Sequence, residues 1–212
     1  EETEDALIEL SFLGIKNVLA ISGDGNPKKI IQDGKSINNN SLELIHQVKN
    51  LSQGNYVHEI ANPSTIDMCV GVGCYPEKHA FSNDFDQEIY LLKQKIAAGA
   101  SYAVTQMFFD NSKYFEFVDR CRKENITIPI IPGIKILDKP RQIDILPEMF
   151  KTEIPKELYS EAIENIEHIQ EIGTRWAIKQ SEELINAGVP IIHYYLMNDT
   201  SCMLSILNHL HK

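Results

Sequence analysis

The sequence has 212 residues, of which 43% are hydrophobic, and a formal net charge of −10 at pH 7. A chain of this length can bury a sizeable core, as one large domain or as two small ones. Its negative charge argues against nucleic acid and anionic membrane surfaces as partners, because both attract basic patches.

Neither the first residues nor the apolar runs indicate export or membrane insertion. The segment Glu1-Glu2-Thr3-Glu4-Asp5 is acidic, unlike a basic and apolar signal peptide. No apolar run approaches the ~18 residues that span a bilayer. The 4 cysteines are scattered, and Cys69 and Cys74 would point to opposite faces of one strand, which disfavours a disulfide framework and a metal site. We therefore expect a cytoplasmic protein without a metal.

Hydrophobic periodicity switches repeatedly between helical and strand spacing. In chain order, the first half is predicted to form a helix over 2–14, a strand over 17–22, a loop over 25–40, a helix over 41–52, a loop over 53–66, a strand over 68–75 and a helix over 84–98. The second half is predicted to form a strand over 102–109, a helix over 112–125, a strand over 128–136, helices over 140–151, 156–168 and 172–187, a strand over 189–197 and a helix over 200–211.

The alternation of strands and long helices favours a parallel α/β fold. Parallel neighbours need a crossover connection, and continuous apolar strands are typical of a sheet that is covered on both faces. Five such strands fit an open doubly wound sheet or five-eighths of a closed (β/α)₈ TIM barrel. The sequence begins on a predicted helix with no preceding strand, which favours the TIM barrel. We expect residues 1–212 to form a single domain that holds the last five βα units of such a barrel.

Polar residues collect where the predicted strands end. The carboxyl ends of parallel strands carry the active site in barrel and doubly wound enzymes. Gln106 stands out among these residues, because it places one uncharged amide in a run that should otherwise be buried. The five strand-end segments are Ser22-Gly23-Asp24, Cys74-Tyr75-Pro76-Glu77, Gln106-Met107-Phe108-Phe109-Asp110, Ile131-Pro132-Gly133 and His193-Tyr194-Tyr195.

Together these segments resemble the 5,10-methylenetetrahydrofolate reductase family, and the likeness runs from about Leu7 to Leu210. It implies a TIM-barrel flavoprotein of one-carbon metabolism and methionine supply. Such an oxidoreductase uses NADH or NADPH and bound FAD to reduce 5,10-methylenetetrahydrofolate to 5-methyltetrahydrofolate. We also expect a homo-oligomer. The motifs that carry the resemblance, in the family's order and close to its spacing, are Gly23-Asp24, Tyr75-Pro76-Glu77-Lys78-His79, Lys93-Gln94-Lys95 with Ala98-Gly99-Ala100, Thr105-Gln106-Met107-Phe108-Phe109-Asp110, Ile130-Ile131-Pro132-Gly133-Ile134 and His193-Tyr194-Tyr195.

The resemblance assigns roles to particular residues. Asp24 would act catalytically by tuning charge near the flavin ring and the pterin. Gln106 would contact the folate and, in the other half-reaction, the nicotinamide, since an amide donates and accepts without carrying charge. The implied flavin contacts are Gly23, Asp24, Tyr75, His79, Glu88 and Lys95, and the implied substrate contacts are Asp24, Gln106 and Gln142.

Several of these residues also have a structural interpretation. Asp24 beside a glycine could cap a helix or a turn, and Gln106 could cap the helix that follows it. Glu88 and Lys95 lie two turns apart on one predicted helix and could form a solvated ion-pair face. Gln142 could be an exposed helix residue.

Some family positions are missing or changed. The family's catalytic Glu lies on the first strand, and this sequence starts at about the third helix. We expect the sequence to be a fragment of a longer protein, the alternative being a truncated, non-catalytic barrel relative that acts as a binding module. Ser22 and Asp199 each stand where the family has an arginine, which lowers the positive charge near anionic ligands. A barrel enzyme for a phosphorylated substrate is disfavoured, because the last two strand ends lack a Gly-rich loop.

Overall fold

The computed structural model describes residues 2–22, 40–77, 85–197 and 200–211, together with the backbone of 31–32 and 35–36. Helices and strands alternate along these residues, as the periodicity predicts. The helices are α1 Glu2–Phe12, α2 Ser41–Ser52, α3 Phe85–Ala97, α4 Asn111–Lys123, α5 Gln142–Phe150, α6 Lys156–Glu164, α7 Ile169–Asn186 and α8 Ser201–Leu210, with a 3-10 turn at Ile166–His168.

The described strands form three sheets. Their bounds are β1 Asn17–Ala20, β2 Ile31–Gln32, β3 Lys35–Ser36, β4 Cys69–Cys74, β5 Tyr102–Thr105, β6 Ile130–Ile131, β7 Gly133–Ile134 and β8 His193–Tyr194. The largest sheet has the order β1-β4-β5-β6, while β2 pairs with β3 and β7 pairs with β8. Within the described residues these sheets do not close into a barrel, so the five-unit TIM barrel stays a prediction.

The strand registers confirm a parallel α/β arrangement. Strand β1 runs parallel to β4, with Asn17 opposite Cys69, and β7 runs parallel to β8, with Gly133 opposite His193. Pro132 separates β6 from β7, because proline has no N–H to donate to a ladder. Its carbonyl instead accepts from the His193 amide at 2.9 Å. The single strand predicted over 128–136 is therefore two short strands that belong to different sheets.

Other elements differ from their predicted bounds. The segment predicted as a loop over 25–40 contains an antiparallel pair, with Ile31 opposite Ser36, so the loop prediction is wrong there. The strand predicted over 102–109 ends at Thr105, although Phe108 and Phe109 beyond it are almost fully buried. A short apolar run is compatible with a strand and with any other buried segment, so periodicity alone does not distinguish them.

Polar caps explain where two of the helices begin. The Asn40 side chain accepts from the Glu43 amide at the start of α2, at 3.0 Å. The Asp110 side chain accepts from the Ser112 amide at the start of α4, at 2.9 Å. Asparagine and aspartate are preferred at this position because their side chains satisfy an amide that lacks an intrahelical partner.

The chain divides into two compact units, each with its own buried residues. The first consists of Glu1–Gly73 and Tyr90–Ala103, and the second of Cys74–Ile89 and Val104–Lys212. The first buries Ile45, Val48, Leu51 and Leu92, and the second buries Phe108, Phe109, Phe117, Leu137, Leu158 and Leu184. None of the helices that the structure describes is long and apolar enough to cross a bilayer.

Candidate functional site

Gln106 lies directly after β5, at the carboxyl end of the strand. Its backbone N–H donates to the carbonyl of Cys74 at 2.7 Å, which brings it beside the strand end that carries Tyr75. Its side chain is half-buried. No residue in the described part of the chain forms a hydrogen bond with its side-chain amide. The amide is therefore available to donate to a ligand and to accept from it.

Three residues, Thr105, Gly133 and Tyr195, form what we call the strand-end clamp. The Gly133 N–H donates to Thr105 Oγ1 at 2.8 Å, and the Tyr195 hydroxyl donates to the Thr105 carbonyl at 2.8 Å. A Cβ atom at position 133 would lie 2.4 Å from the Thr105 carbonyl oxygen and 2.5 Å from the Tyr195 ring. The clamp therefore requires glycine at position 133 and fixes the backbone just before Gln106.

Burial keeps the hydroxyl of Tyr195 protonated. Desolvation first, and the neighbouring Cys74 and Tyr75 side chains next, raise the pKa of Tyr195 to about 12. The phenol thus remains a donor at any physiological pH. The His193 ring packs edge-on against Tyr195, with ring centroids 4.6 Å apart, and burial lowers the pKa of His193. This strand end therefore presents neutral groups.

Glu77 ties the segment after β4 to the link between α5 and α6. Its Oε2 atom accepts from the Thr152 hydroxyl at 2.6 Å, and its carboxylate also lies 3.2 Å from the amide nitrogen of Glu153. The Thr152 hydroxyl lies 3.3 Å from the Met107 carbonyl as well. Burial raises the pKa of Glu77, and the bonds from Thr152 and Glu153 oppose that shift.

Glu88 on α3 has one carboxylate oxygen for which no described residue supplies a donor. Its side chain is buried, and its Oε1 atom has no hydrogen-bond partner among the described residues. A buried polar atom without a partner costs about 1–3 kcal/mol, so such an atom is an exception that needs an explanation. A ligand with a hydroxyl or N–H donor would satisfy it.

In the first unit, Lys95 reaches the end of β4. Its ammonium group donates to the carbonyl of Gly73 at 3.0 Å. A Cβ atom built on Gly73 would meet no atom of the described residues within 4 Å, whereas one on Gly71 would lie 2.2 Å from the Tyr102 ring. Gly71 and Gly73 share one face of β4, which Tyr102 fills at Gly71 and which the described residues leave open at Gly73.

Gln142 turns back onto its own loop. Its Oε1 atom accepts from the amides of Asp138 at 2.8 Å and Lys139 at 3.1 Å, and its Nε2 atom donates to Asp138 Oδ1 at 2.6 Å. The Asp138 carboxylate lies 3.9 Å from Lys135. These contacts close the turn before α5. The role of Gln142 in substrate binding stays a prediction.

The remaining predicted site residues lie outside the described residues, namely Gly23, Asp24 and His79, as does Asp199. Ser22, which stands in the place of an arginine, accepts through its hydroxyl from the Ser41 amide at 3.2 Å. Within the described residues, no group of three His, Cys, Asp or Glu side chains could hold a metal ion.

Sequence reasoning did not identify Thr152 or the clamp residues Thr105 and Tyr195 as functional candidates. Thr152 lies 75 residues from Glu77 in the sequence, and a threonine between two helices gives no local signal. Tyr195 belongs to the motif His193-Tyr194-Tyr195, but the sequence does not indicate that Thr105, on another strand, is its hydrogen-bond partner.

Comparisons with known proteins agree on one family. A family model described as methylenetetrahydrofolate reductase matches residues 1–211. The chain is 32% identical to a 5,10-methylenetetrahydrofolate reductase of Buchnera aphidicola from Schizaphis graminum, over 91% of this chain and 61% of the relative. It is 31% identical to a probable methylenetetrahydrofolate reductase (NADH) of rice, over 99% of this chain and 36% of the relative. A probable methylenetetrahydrofolate reductase (NADPH) of Caenorhabditis elegans is 29% identical, over 99% of this chain and 30% of the relative. The chain thus spans less than two thirds of each of these proteins.

Proposed function

The chain belongs to the methylenetetrahydrofolate reductase family, and we propose that it supplies most of the site of a flavoprotein that reduces 5,10-methylenetetrahydrofolate to 5-methyltetrahydrofolate. The electrons would come from NADH or NADPH through bound FAD. The two matched relatives from rice and Caenorhabditis elegans are named for different nicotinamide nucleotides, so the family alone does not select one. We also propose the (β/α)₈ barrel as the complete fold, with a cytoplasmic homo-oligomer as its assembled form.

The observation that carries this proposal is the unpaired amide of Gln106. It lies at the end of β5 in the family motif Thr105-Gln106-Met107-Phe108-Phe109-Asp110, and no described residue occupies its donor or its acceptor. An amide with both functions free can bind the folate in one half-reaction and the nicotinamide in the other. The strand-end clamp holds the preceding residue Thr105, which sets the backbone from which the amide projects.

The chain's own residues fit a flavin. When bound, FAD supplies the hydride chemistry, and the protein contributes binding, orientation and charge. The unpaired Oε1 atom of Glu88 suits one of the hydroxyl donors that FAD carries. We propose Tyr75, His79, Lys95 and Gly23 as further flavin contacts and Gln142 as a further substrate contact. Asp24 would bind both ligands and tune the charge around them.

A titration of the purified chain with FAD, followed by quenching of flavin fluorescence, tests the proposal. We expect saturable binding that Lys95→Ala and His79→Ala each weaken by about tenfold or more, which corresponds to ~1.4 kcal/mol. Lys123→Ala is the matched control, because Lys123 is exposed and, among the described residues, pairs only with Asp119 on its own helix, α4. A folded chain that does not bind FAD, or a Lys95→Ala variant that binds it as tightly as the unaltered chain, would contradict the proposal.

The second candidate is a non-catalytic binding module. It draws support from apolar side chains on and near α1 and β1, where Phe12 is 89%, Leu13 76% and Ile21 63% exposed. Exposed apolar groups in one region are typical of an interaction surface. Analytical ultracentrifugation separates the two candidates. Assembly without any FAD binding would favour the module, and FAD binding would favour the reductase.

A further inference from the structure

Thr152 contacts two segments that follow neighbouring strands. It lies in the link between α5 and α6 and is only 3% exposed. Its hydroxyl oxygen is 2.6 Å from Oε2 of Glu77, three residues after β4, and 3.3 Å from the carbonyl of Met107, which directly follows Gln106. One side chain thus links the segment that begins with Tyr75 to the segment that begins with Gln106.

The link that carries Thr152 is itself held in place. The backbone N–H of Glu153 donates to the Glu77 carboxylate, with separations of 3.2 and 3.3 Å to its two oxygens. The side chain of Glu153 pairs with Lys113 of α4 at 3.5 Å. Thr152 is therefore a fixed point against which both strand-end segments are positioned.

The hydroxyl of Thr152 has one proton and faces two acceptors. A hydroxyl donates once and accepts up to twice. An ionised Glu77 takes that proton, since the carboxylate is charged and much closer. No other described residue donates to the Met107 carbonyl. If Glu77 is protonated, its own O–H donates to Thr152, and the hydroxyl proton of Thr152 then turns to Met107.

We propose that Thr152 and Glu77 are positioning residues for Gln106. This inference rests on the proposed function in one respect, the ligand that Gln106 binds. They join the segment after β4 to the segment after β5, and the protonation of Glu77 decides whether Thr152 donates to Glu77 or to Met107. The pair thereby sets the backbone of Gln106 without touching a ligand.

The charged groups around Glu77 set the pH range of this change. Burial raises the pKa of Glu77 above its ordinary value of 4.5, and Glu153 in the link raises it further. Lys113 on α4 lowers it, as do the hydrogen bonds from Thr152 and the Glu153 amide. The Met107 carbonyl therefore gains the Thr152 proton as the pH falls through a value above 4.5, and the segment after β5 becomes more tightly held.

Amide hydrogen exchange tests the linkage on the ligand-free chain. Two amides report on it, the Gln106 N–H bonded to Cys74 and the Glu153 N–H bonded to Glu77. Below the pKa of Glu77, where Thr152 donates to Met107, we expect Thr152→Val to speed exchange at both amides about tenfold, the factor that corresponds to ~1.4 kcal/mol. Thr152→Ser should exchange like the unaltered chain, because it keeps the hydroxyl.

The matched control is Thr174→Val on α7. The Thr174 hydroxyl donates only to the carbonyl of Gln170 in its own helix, at 2.7 Å, so both reporter amides should be unaffected. The His193 N–H, bonded to the Pro132 carbonyl, serves as the reference amide within every variant. If Thr152→Val speeds exchange at Glu153 but not at Gln106, the linkage does not reach Gln106 and the proposal is wrong.

The pH dependence of amide exchange distinguishes a positioning role of Thr152 and Glu77 from a merely structural one. After correction for intrinsic exchange, protection of the Gln106 amide should fall as the pH rises through the pKa of Glu77. Glu77→Gln keeps the size of the side chain and, like protonated Glu77, can donate to Thr152 while it accepts from the Glu153 amide. It should therefore abolish that step, whereas Glu164→Gln, at an exposed position, should keep it. A step that persists in Glu77→Gln would overturn the proposal.

Because exchange needs no ligand, the two proposals can fail separately. Failure of the unaltered chain to bind FAD would count against the proposed function alone. Unchanged Gln106 exchange in a folded Thr152→Val variant would count against the positioning role alone.

Discussion

Tyr195 donates its phenolic hydrogen to the backbone carbonyl of Thr105 at 2.8 Å, across 90 residues of sequence. Thr105 also accepts at its side-chain oxygen from the N–H of Gly133. The start of β7 and the residue that follows β8 therefore meet at Thr105, the last residue of β5, and Gln106 comes next in the chain. The position of the proposed ligand-binding amide thus depends on contacts that are remote in sequence.

Tyr195→Phe should destabilise the fold. The substitution keeps the ring but leaves the Thr105 carbonyl without this donor, and an unpaired buried group costs about 1–3 kcal/mol. Urea denaturation should show this loss as a lower midpoint with an unchanged slope. Tyr159→Phe is the control, because Tyr159 is exposed, and it should change stability by less than about 0.5 kcal/mol. Equal stabilities for the two variants would show that the hydrogen bond contributes nothing.

The high pKa of Tyr195 predicts how stability changes in alkali. Its value is raised from 10.0 to about 12 in the folded chain, chiefly by burial. The unfolded chain therefore loses the proton first, and the free energy of unfolding should fall as the pH rises from about 10 to about 12. Tyr195→Phe should show a smaller fall over this range. The pKa of Tyr114 is also raised to about 12, so its contribution to the fall should persist in both proteins. Identical stability profiles for the two proteins would contradict the prediction.

Gly133→Ala should be strongly destabilising, because the new methyl group would lie 2.4 Å from the Thr105 carbonyl. That atom is backbone and has little room to move, so we expect a loss of roughly 2–4 kcal/mol, at or above the usual range for overpacking. Gly73→Ala is the matched control, since no atom in the described part of the chain lies within 4 Å of its added methyl group. We expect a change below about 0.5 kcal/mol for it. Thermal or urea unfolding measures both, and equal losses would rule out the steric explanation.

The parallel α/β class could be predicted because it depends on local patterns. Apolar runs such as 17–22 and 68–75 are separated by amphipathic helices, and β1 and β4 formed within these runs. The bounds were less predictable, since Phe108 and Phe109 are as apolar as strand residues but pack outside the sheet. Tertiary packing, and not the strand preference of the local sequence, determines that β5 ends at Thr105.

The candidate site could be predicted only in part, for the same reason. Tyr75, Gln106, Glu88 and Lys95 are predicted as site residues because a motif or a helical spacing marks each of them. Thr152 is marked by neither, because its importance comes from a contact with Glu77 that only the folded chain creates. Gln142 was identified from its family position, yet its amide contacts its own loop.

Gln142→Ala tests what that amide does. The residue before it, Arg141, makes no side-chain capping bond to α5, and Gln142 instead accepts from the amides of Asp138 and Lys139. Its removal should take the side-chain acceptor away from these two amides of the turn before α5 and destabilise the fold by about 1 kcal/mol, the net contribution of a typical hydrogen bond. Glu148→Ala, an exposed change on the same helix, should stay within about 0.5 kcal/mol. One outcome is that Gln142→Ala unfolds in urea like the unaltered chain and raises the KM for 5,10-methylenetetrahydrofolate in the complete reductase. That result would mean that Gln142 binds substrate and that its loop contacts are incidental. If the variant loses stability and the KM is unchanged, the amide serves to hold the turn before α5.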